Sequence, residues 1–254
     1  PPILSPALGG ELIARFGFHS VFVVTAFMCV LILVFLSYQL PETLEEPVAF
    51  EGVRAMMLTY FSLFKSRIFC GYAFCVTFVS VVFFSFISAA PEIMVSILKR
   101  PATEYGYYFI IIPAGFMTGN YVARHFNRSL GLDRLITIGA GIGVTGICLA
   151  LLLQLLGFSQ PLALFLPIAL ATFGNGITLP NAQAAAINEF PKLAGSASGL
   201  TGFLQMAFSA VAAQFVAVIY NGTVYPLLLL MLSASVASLL FFRWGLANKD
   251  KNLN

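Results

Sequence analysis

Gly174-Asn175-Gly176-Ile177-Thr178-Leu179-Pro180-Asn181-Ala182-Gln183 runs into a polar Asn188-Glu189-Phe190-Pro191-Lys192. The chain then resumes as Ala194-Gly195-Ser196-Ala197-Ser198-Gly199-Leu200-Thr201-Gly202-Phe203-Leu204-Gln205. A long apolar segment without charge lies on each side, and the turn between them holds one Glu and one Lys. This is the pattern of two membrane helices joined by a short loop. Both carry Gly, Ala, Ser and Asn where a helix bathed in lipid would carry Leu; small residues let helix backbones approach closely, and Leu gains nothing over a lipid tail. Pro180 frees a backbone carbonyl inside the span, which is tolerated only where protein or a cavity can satisfy it. The hairpin therefore faces the interior of a helical bundle.

The rest of the chain agrees. Of its 254 residues, 59% are hydrophobic and only 9% charged, with a mean hydropathy of +0.94, whereas a soluble domain has about a quarter of its residues charged. The class is all-α integral membrane protein. A net charge of +3 is too small to point to nucleic acid. Cys29, Cys70, Cys75 and Cys148 lie in apolar segments with no metal-ligand spacing and read as small hydrophobes. Neither a metal nor another cofactor is expected. The chain opens at Pro1 within an apolar stretch, with no Met and no basic leader, so we expect a piece whose N-terminal part precedes it.

A span takes about 20 apolar residues, and charges mark the boundaries. Residues 1–10 read as half a span, followed by full spans at 16–40, 68–91 and 105–123. Residues 124–134 read as a basic loop. Gly157-Phe158-Ser159-Gln160-Pro161 divides the uncharged 135–188 into two spans, and Tyr220-Asn221-Gly222-Thr223 divides 193–242 likewise. The expected count is seven full spans and one half. Ten of the thirteen Lys and Arg fall in the loops 42–67, 124–134 and 189–192 and the C-terminal tail; Arg15, Lys99 and Arg100 fall on the other side. The first set, C-terminus included, is expected in the cytoplasm. Within residues 42–66, Val53, Met56, Met57, Tyr60, Phe61 and Phe64 recur at helical spacing, as in an amphipathic helix on the membrane face; a plain connecting loop is the other reading.

Pro6-Ala7-Leu8-Gly9-Gly10 is a helix end of kinking and small residues, and Gly115/Gly119, Gly139/Gly143 and Gly195/Gly199 are close-packing patterns. Taken together these residues resemble the major facilitator superfamily of transporters. Pro6, Gly9 and Gly10 resemble the antiporter motif ending the fifth span, and Leu40-Pro41-Glu42-Thr43-Leu44 resembles the Leu-Pro-Glu-Thr after the sixth. Leu179-Pro180-Asn181-Ala182 and Ala194-Gly195-Ser196-Ala197-Ser198-Gly199 resemble the tenth-to-eleventh span hairpin of Bcr/CflA-type drug-resistance exporters. Gly119-Asn120-Tyr121-Val122-Ala123-Arg124 sits where the family repeats a Gly-x-x-x-Asp-Arg motif, with Ala123 in place of the Asp.

The resemblance covers the whole chain and implies a major facilitator fold. Residues 1–40 would end the N-terminal transmembrane bundle with spans five and six. Residues 41–66 would be a cytoplasmic amphipathic linker, 67–243 a C-terminal six-helix bundle, and 244–254 a cytoplasmic tail. It also implies a monomer in the cell membrane, the bacterial inner membrane, with lipid, a small-molecule substrate and protons as partners. No carboxylate lies deep in a span, so the proton-coupling residue is expected in the preceding half.

The function expected is proton-coupled export of amphipathic small molecules or drugs by alternating access. A carrier of another substrate (siderophore, sugar or metabolite) is the alternative. A membrane-embedded enzyme is more distant, since Ser196 and Ser198 have no partner base and no catalytic residue can be named. Thr172, Asn175, Thr178 and Asn181 are spaced by three along one helix, and Gln205 and Ser209 by four along the next. These six are candidates for a substrate cavity; hydrogen bonding between helices is the other use of such residues. Pro180, Gly195 and Gly199, with Pro6, Gly9 and Gly10, are candidates for conformational and packing roles.

Overall fold

A computed structural model describes residues 12–13, 15–39 and 52–253, without the side chains of residues 102, 103 and 250–253. Pro6, Gly9, Gly10 and the Leu-Pro-Glu-Thr segment lie outside the described residues. The chain forms two units, Pro1–Ala55 and Met56–Asn254. In the first, α1 (His19–Gln39) buries no side chain. Two of its hydroxyls are satisfied within the helix, Thr25 donating to Val21 O at 2.7 Å and Ser37 to Val34 O at 2.8 Å, as a helix in lipid requires.

α2 (Val53–Lys65) runs across the boundary between the units, and the second unit holds the rest of it together with α3 (Arg67–Glu92), α4 (Ala102–Phe109), α5 (Ile111–Leu130), α6 (Leu132–Leu155), α7 (Pro161–Asn188), α8 (Ala194–Ile219) and α9 (Tyr225–Leu253). Ser66 caps α3 by accepting from Phe69 N at 3.2 Å. Pro161 opens α7 at a position whose N–H would have no helical partner. Within α2, Leu63 is fully buried and Met56 and Tyr60 are half-buried, while Met57, Phe61 and Phe64 remain exposed. The helix thus has two apolar sides, of which the bundle takes one.

Among the described residues, six helices are long and apolar enough to cross a membrane. The expected span over 105–123 is not among them: it comprises α4 and α5, interrupted at Ile110. Pro113 explains the interruption, because it has no N–H for Phe109 O and its ring crowds that carbonyl. The expected basic loop 124–134 is also corrected. α5 remains helical to Leu130 and is joined to α6 by Gly131 alone, whose φ of 74° suits glycine. The tail expected at 244–254 likewise continues α9 as helix to Leu253.

α7 lies among α5, α6 and α3, with α9 and α8 packed on α3. Glycines set the closest crossings. A Cβ on Gly139 would come 2.5 Å from Thr178 Oγ1, one on Gly146 2.5 Å from Ala171 N, and one on Gly115 2.5 Å from Ala169 O. Gly71 and Gly245 meet where α3 crosses α9. Gly195 and Gly199 behave differently. Both are exposed; nothing approaches within 4 Å of a Cβ on Gly195, and only the Tyr60 hydroxyl, at 4.0 Å, approaches one on Gly199. The close packing expected of that pair is absent among the described residues, because α8 turns Ala197, Leu200 and Leu204 inward instead.

Candidate functional site: the polar face of α7

Among the described residues of the second unit, the buried polar side chains are Ser, Thr, Asn and Gln, with no Asp, Glu, Lys or Arg. All six cavity candidates are in this set, from fully buried Thr178 to Gln205 at 9% exposure. An unpaired amide in hydrocarbon costs several kcal/mol, so burial in protein is the physical requirement their sequence position sets.

They do not converge on one space. Thr172 turns to α5, donating to Ile112 O at 3.1 Å and to its own Ala169 O at 3.0 Å. Thr178 donates to Gly174 O at 3.0 Å and lies against Gly139 of α6. Asn181 Nδ2 donates to Ile177 O at 2.7 Å, one residue after Pro180. Gln205 Oε1 accepts from Ser80 at 3.0 Å, tying α8 to α3. A step of three residues turns a helix by about 300°, so the stripe drifts by roughly 60° per step and its members meet different neighbours.

Asn175 stands apart. It is 4% exposed, and its Nδ2 has no hydrogen-bond partner among the described residues. A Cβ on Gly143 would lie 3.3 Å from Asn175 Oδ1 and 3.5 Å from Ser235 Oγ, so α6, α7 and α9 meet there. Ser209 on α8 and Ser85 on α3 are buried with hydroxyls that also lack partners. Pro180 and Asn181 border an open groove of about 470 Å³ between the C-terminal halves of α5 and α7, with Asn120, Arg124 and Asn127 on its other wall.

This geometry, glycine-set helices around buried amides with no buried Asp, Glu, Lys or Arg among the described residues, is that of a membrane bundle. Its sequence decides the family. Residues 2–213 match the family model of the major facilitator superfamily. The chain belongs to the major facilitator superfamily. Its members transport; they are not enzymes. A bicyclomycin resistance protein homolog of Haemophilus influenzae is 25% identical over 244 residues, covering 95% of this chain and 61% of that protein. The multidrug transporter MdfA of Edwardsiella piscicida is 25% identical over 207 residues, 81% of this chain and 50% of its own length. Multidrug resistance protein D of Escherichia coli is 26% identical over 223 residues, 86% and 54% respectively. The chain thus spans roughly half to two-thirds of these distant bacterial relatives.

Reading the sequence missed Ser80, Ser85 and Ser235, which share the buried polar layer. A Ser in a Phe- and Val-rich span carries little signal by itself. It also missed a cluster across three helices, in which Tyr72 donates to Asp133 Oδ1 at 2.6 Å and Lys249 Nζ to Asp133 Oδ2 at 2.8 Å. Placing Lys249 in a loose tail hid that pairing.

Proposed function

We propose that this major facilitator protein exports amphipathic small molecules, drugs among them, in exchange for protons, by alternating access in the bacterial inner membrane. In this reading seven spans and part of another belong to the chain, 41–66 links the two bundles and the C-terminus is cytoplasmic. The names of the relatives support export; the basic-residue asymmetry supports the orientation. The observation that carries the site is the buried Asn175 amide without a partner. Leaving such a donor unmet costs about 1–3 kcal/mol, a cost that a bound substrate offering a carbonyl or ether oxygen would remove. Ser209 offers a second such group, and Pro180, inside α7 beside Asn181, leaves Gly176 O without its helical donor.

The test is transport of labelled lipophilic compounds in inverted membrane vesicles under an imposed proton gradient, with Asn175→Leu and Asn181→Leu. The expected result is a changed order of preference among substrates, with insertion and thermal stability retained. An unchanged substrate profile, or loss of folding in both variants, makes the stripe structural only.

A further inference from the structure

The outward face of α5 has a graded composition that the transport reading does not use. Met117 is 55% exposed, Tyr121 74%, and Arg124, His125 and Arg128 follow one and two turns on, all exposed. Positions 117, 121, 124 and 128 recur at i, i+4, i+7 and i+11 and so share one side of the helix. Along that side the chemistry passes from apolar, through an interfacial aromatic, to cationic. Two open grooves adjoin there, of about 470 and 530 Å³, sharing Tyr121, Arg124 and Asn127. His125 and Arg128 line the second.

Among the described residues, no acidic side chain lines either groove. Ala123, beside Arg124, is small and buried, and Asp133 is already engaged by Lys249 and Tyr72. Among the described residues, neither Arg124 nor Arg128 has an ion-pair partner. Guanidinium groups without carboxylates, an amide from Asn127 and a phenol at the edge are donors arranged for a phosphate.

We propose that the groove on α5 binds the phosphate headgroup of an acidic phospholipid, with the acyl chains lying along Met117 and Tyr121. The apolar approach selects a lipid over a free anion: a soluble phosphate has no use for the exposed Met and Tyr on the same side. The attraction adds about 1 kcal/mol per basic residue near an anionic surface, roughly fivefold in retention for each arginine. The inference rests on the membrane setting of α5 and not on the export reading, so either can fail alone.

The experiment is native mass spectrometry of the purified full chain with phosphatidylglycerol and with phosphatidylcholine of the same acyl chains. Phosphatidylglycerol is expected to be retained preferentially, and raising NaCl from ~50 mM to ~0.5 M should weaken its retention, because screening shortens the reach of the arginines. Arg124→Gln with Arg128→Gln should lower retention by roughly 25-fold, taking fivefold for each, while Arg100→Gln, at the other end of the bundle, leaves it unchanged. Equal retention of the two lipids, indifference to salt, or an equal loss on Arg100→Gln overturns the proposal. So does full displacement of the lipid by millimolar inorganic phosphate, which would make the groove a site for soluble anions. If the double variant unfolds, the lipid and salt comparisons on the wild-type chain decide.

Discussion

Replacing Gly146 by Ala should loosen the α6–α7 crossing, and the structure sets the size of the effect. A Cβ at 146 would lie 2.5 Å from Ala171 N, 2.7 Å from Pro167 O and 2.9 Å from Ala171 Cα. Ordinary contact between such atoms is about 3.5–4 Å, so the helices must part by roughly 1 Å. All three obstacles are backbone atoms of α7, which no side-chain rotation can move aside. The cost therefore belongs near the top of the ~1–3 kcal/mol seen for overpacked cores. Alanine returns about 1 kcal/mol through its helix preference over glycine. The net loss is ~2 kcal/mol, a fall in Tm of roughly 4–8 °C for a domain of this size. Gly141→Ala is the matched control: it sits on the same helix with nothing within 4 Å of its Cβ, so it should gain ~1 kcal/mol and raise Tm by about 2–4 °C. Thermal unfolding in detergent, followed by circular dichroism, reads both. The reasoning is refuted if Gly146→Ala melts at or above the wild type, or if the two variants shift alike.

Tyr72→Phe removes a hydrogen bond to an ionised carboxylate and should cost ~1.5–3 kcal/mol, whereas Lys249→Met breaks only a half-exposed pair and should cost less than ~1 kcal/mol; the same melts rank them, and a larger loss for Lys249 contradicts the assignment. Pro113→Ala restores the missing donor and should join α4 to α5 as one helix, seen as slower amide exchange at residues 109–114. Single cysteines at Lys99 and Lys249, in a chain otherwise without cysteine, should react with an impermeant reagent from opposite sides of the membrane; strong labelling of both from one side removes the proposed orientation.

The turns were legible because they are made of residues with few other uses. Gly157, with φ of 83°, and Pro161 close one connection, and Asn221 closes another by accepting from Thr223 N at 3.2 Å. Boundaries placed at charges were less reliable. Arg124, Arg128 and Lys249 stand on helices, since long cationic side chains reach the headgroups from a helix that has not ended. Pro113 went unread as a break because hydropathy averages over it. Burial of the six polar candidates was legible, as an amide cannot face lipid. Which neighbour each would meet was not, because facing depends on crossings such as Gly71 against Gly245, 174 residues apart in sequence. The same gap separates the glycine pairs: spacing is identical at 139/143 and 195/199, and only the partner helix distinguishes them.

The hydrogen bonds along α7 also rank its polar residues as ligand groups. Pro180 offers no N–H to Gly176 O, and nearby side chains attend to the neighbouring backbone: Thr178 to Gly174 O, and Asn181 Nδ2 to Ile177 O. Thr172 ties α7 to α5, and Gln205 accepts from Ser80. A ligand drawing on any of these donors and acceptors must first displace an existing bond, surrendering about 0.5–1.5 kcal/mol for each. Asn175 Nδ2 and Ser209 Oγ surrender nothing. The glycines hold the rest of α7 close to α5 and α6, so a change of shape at Pro180 would rearrange the Thr178 and Asn181 bonds while leaving the crossings at Gly115 and Gly146 in place. In the proposed reading, Asn175 and Ser209 therefore offer a substrate its free hydrogen-bonding groups, and Thr178, Pro180 and Asn181 form the adjustable part of the helix, through which Asn181→Leu alters substrate preference.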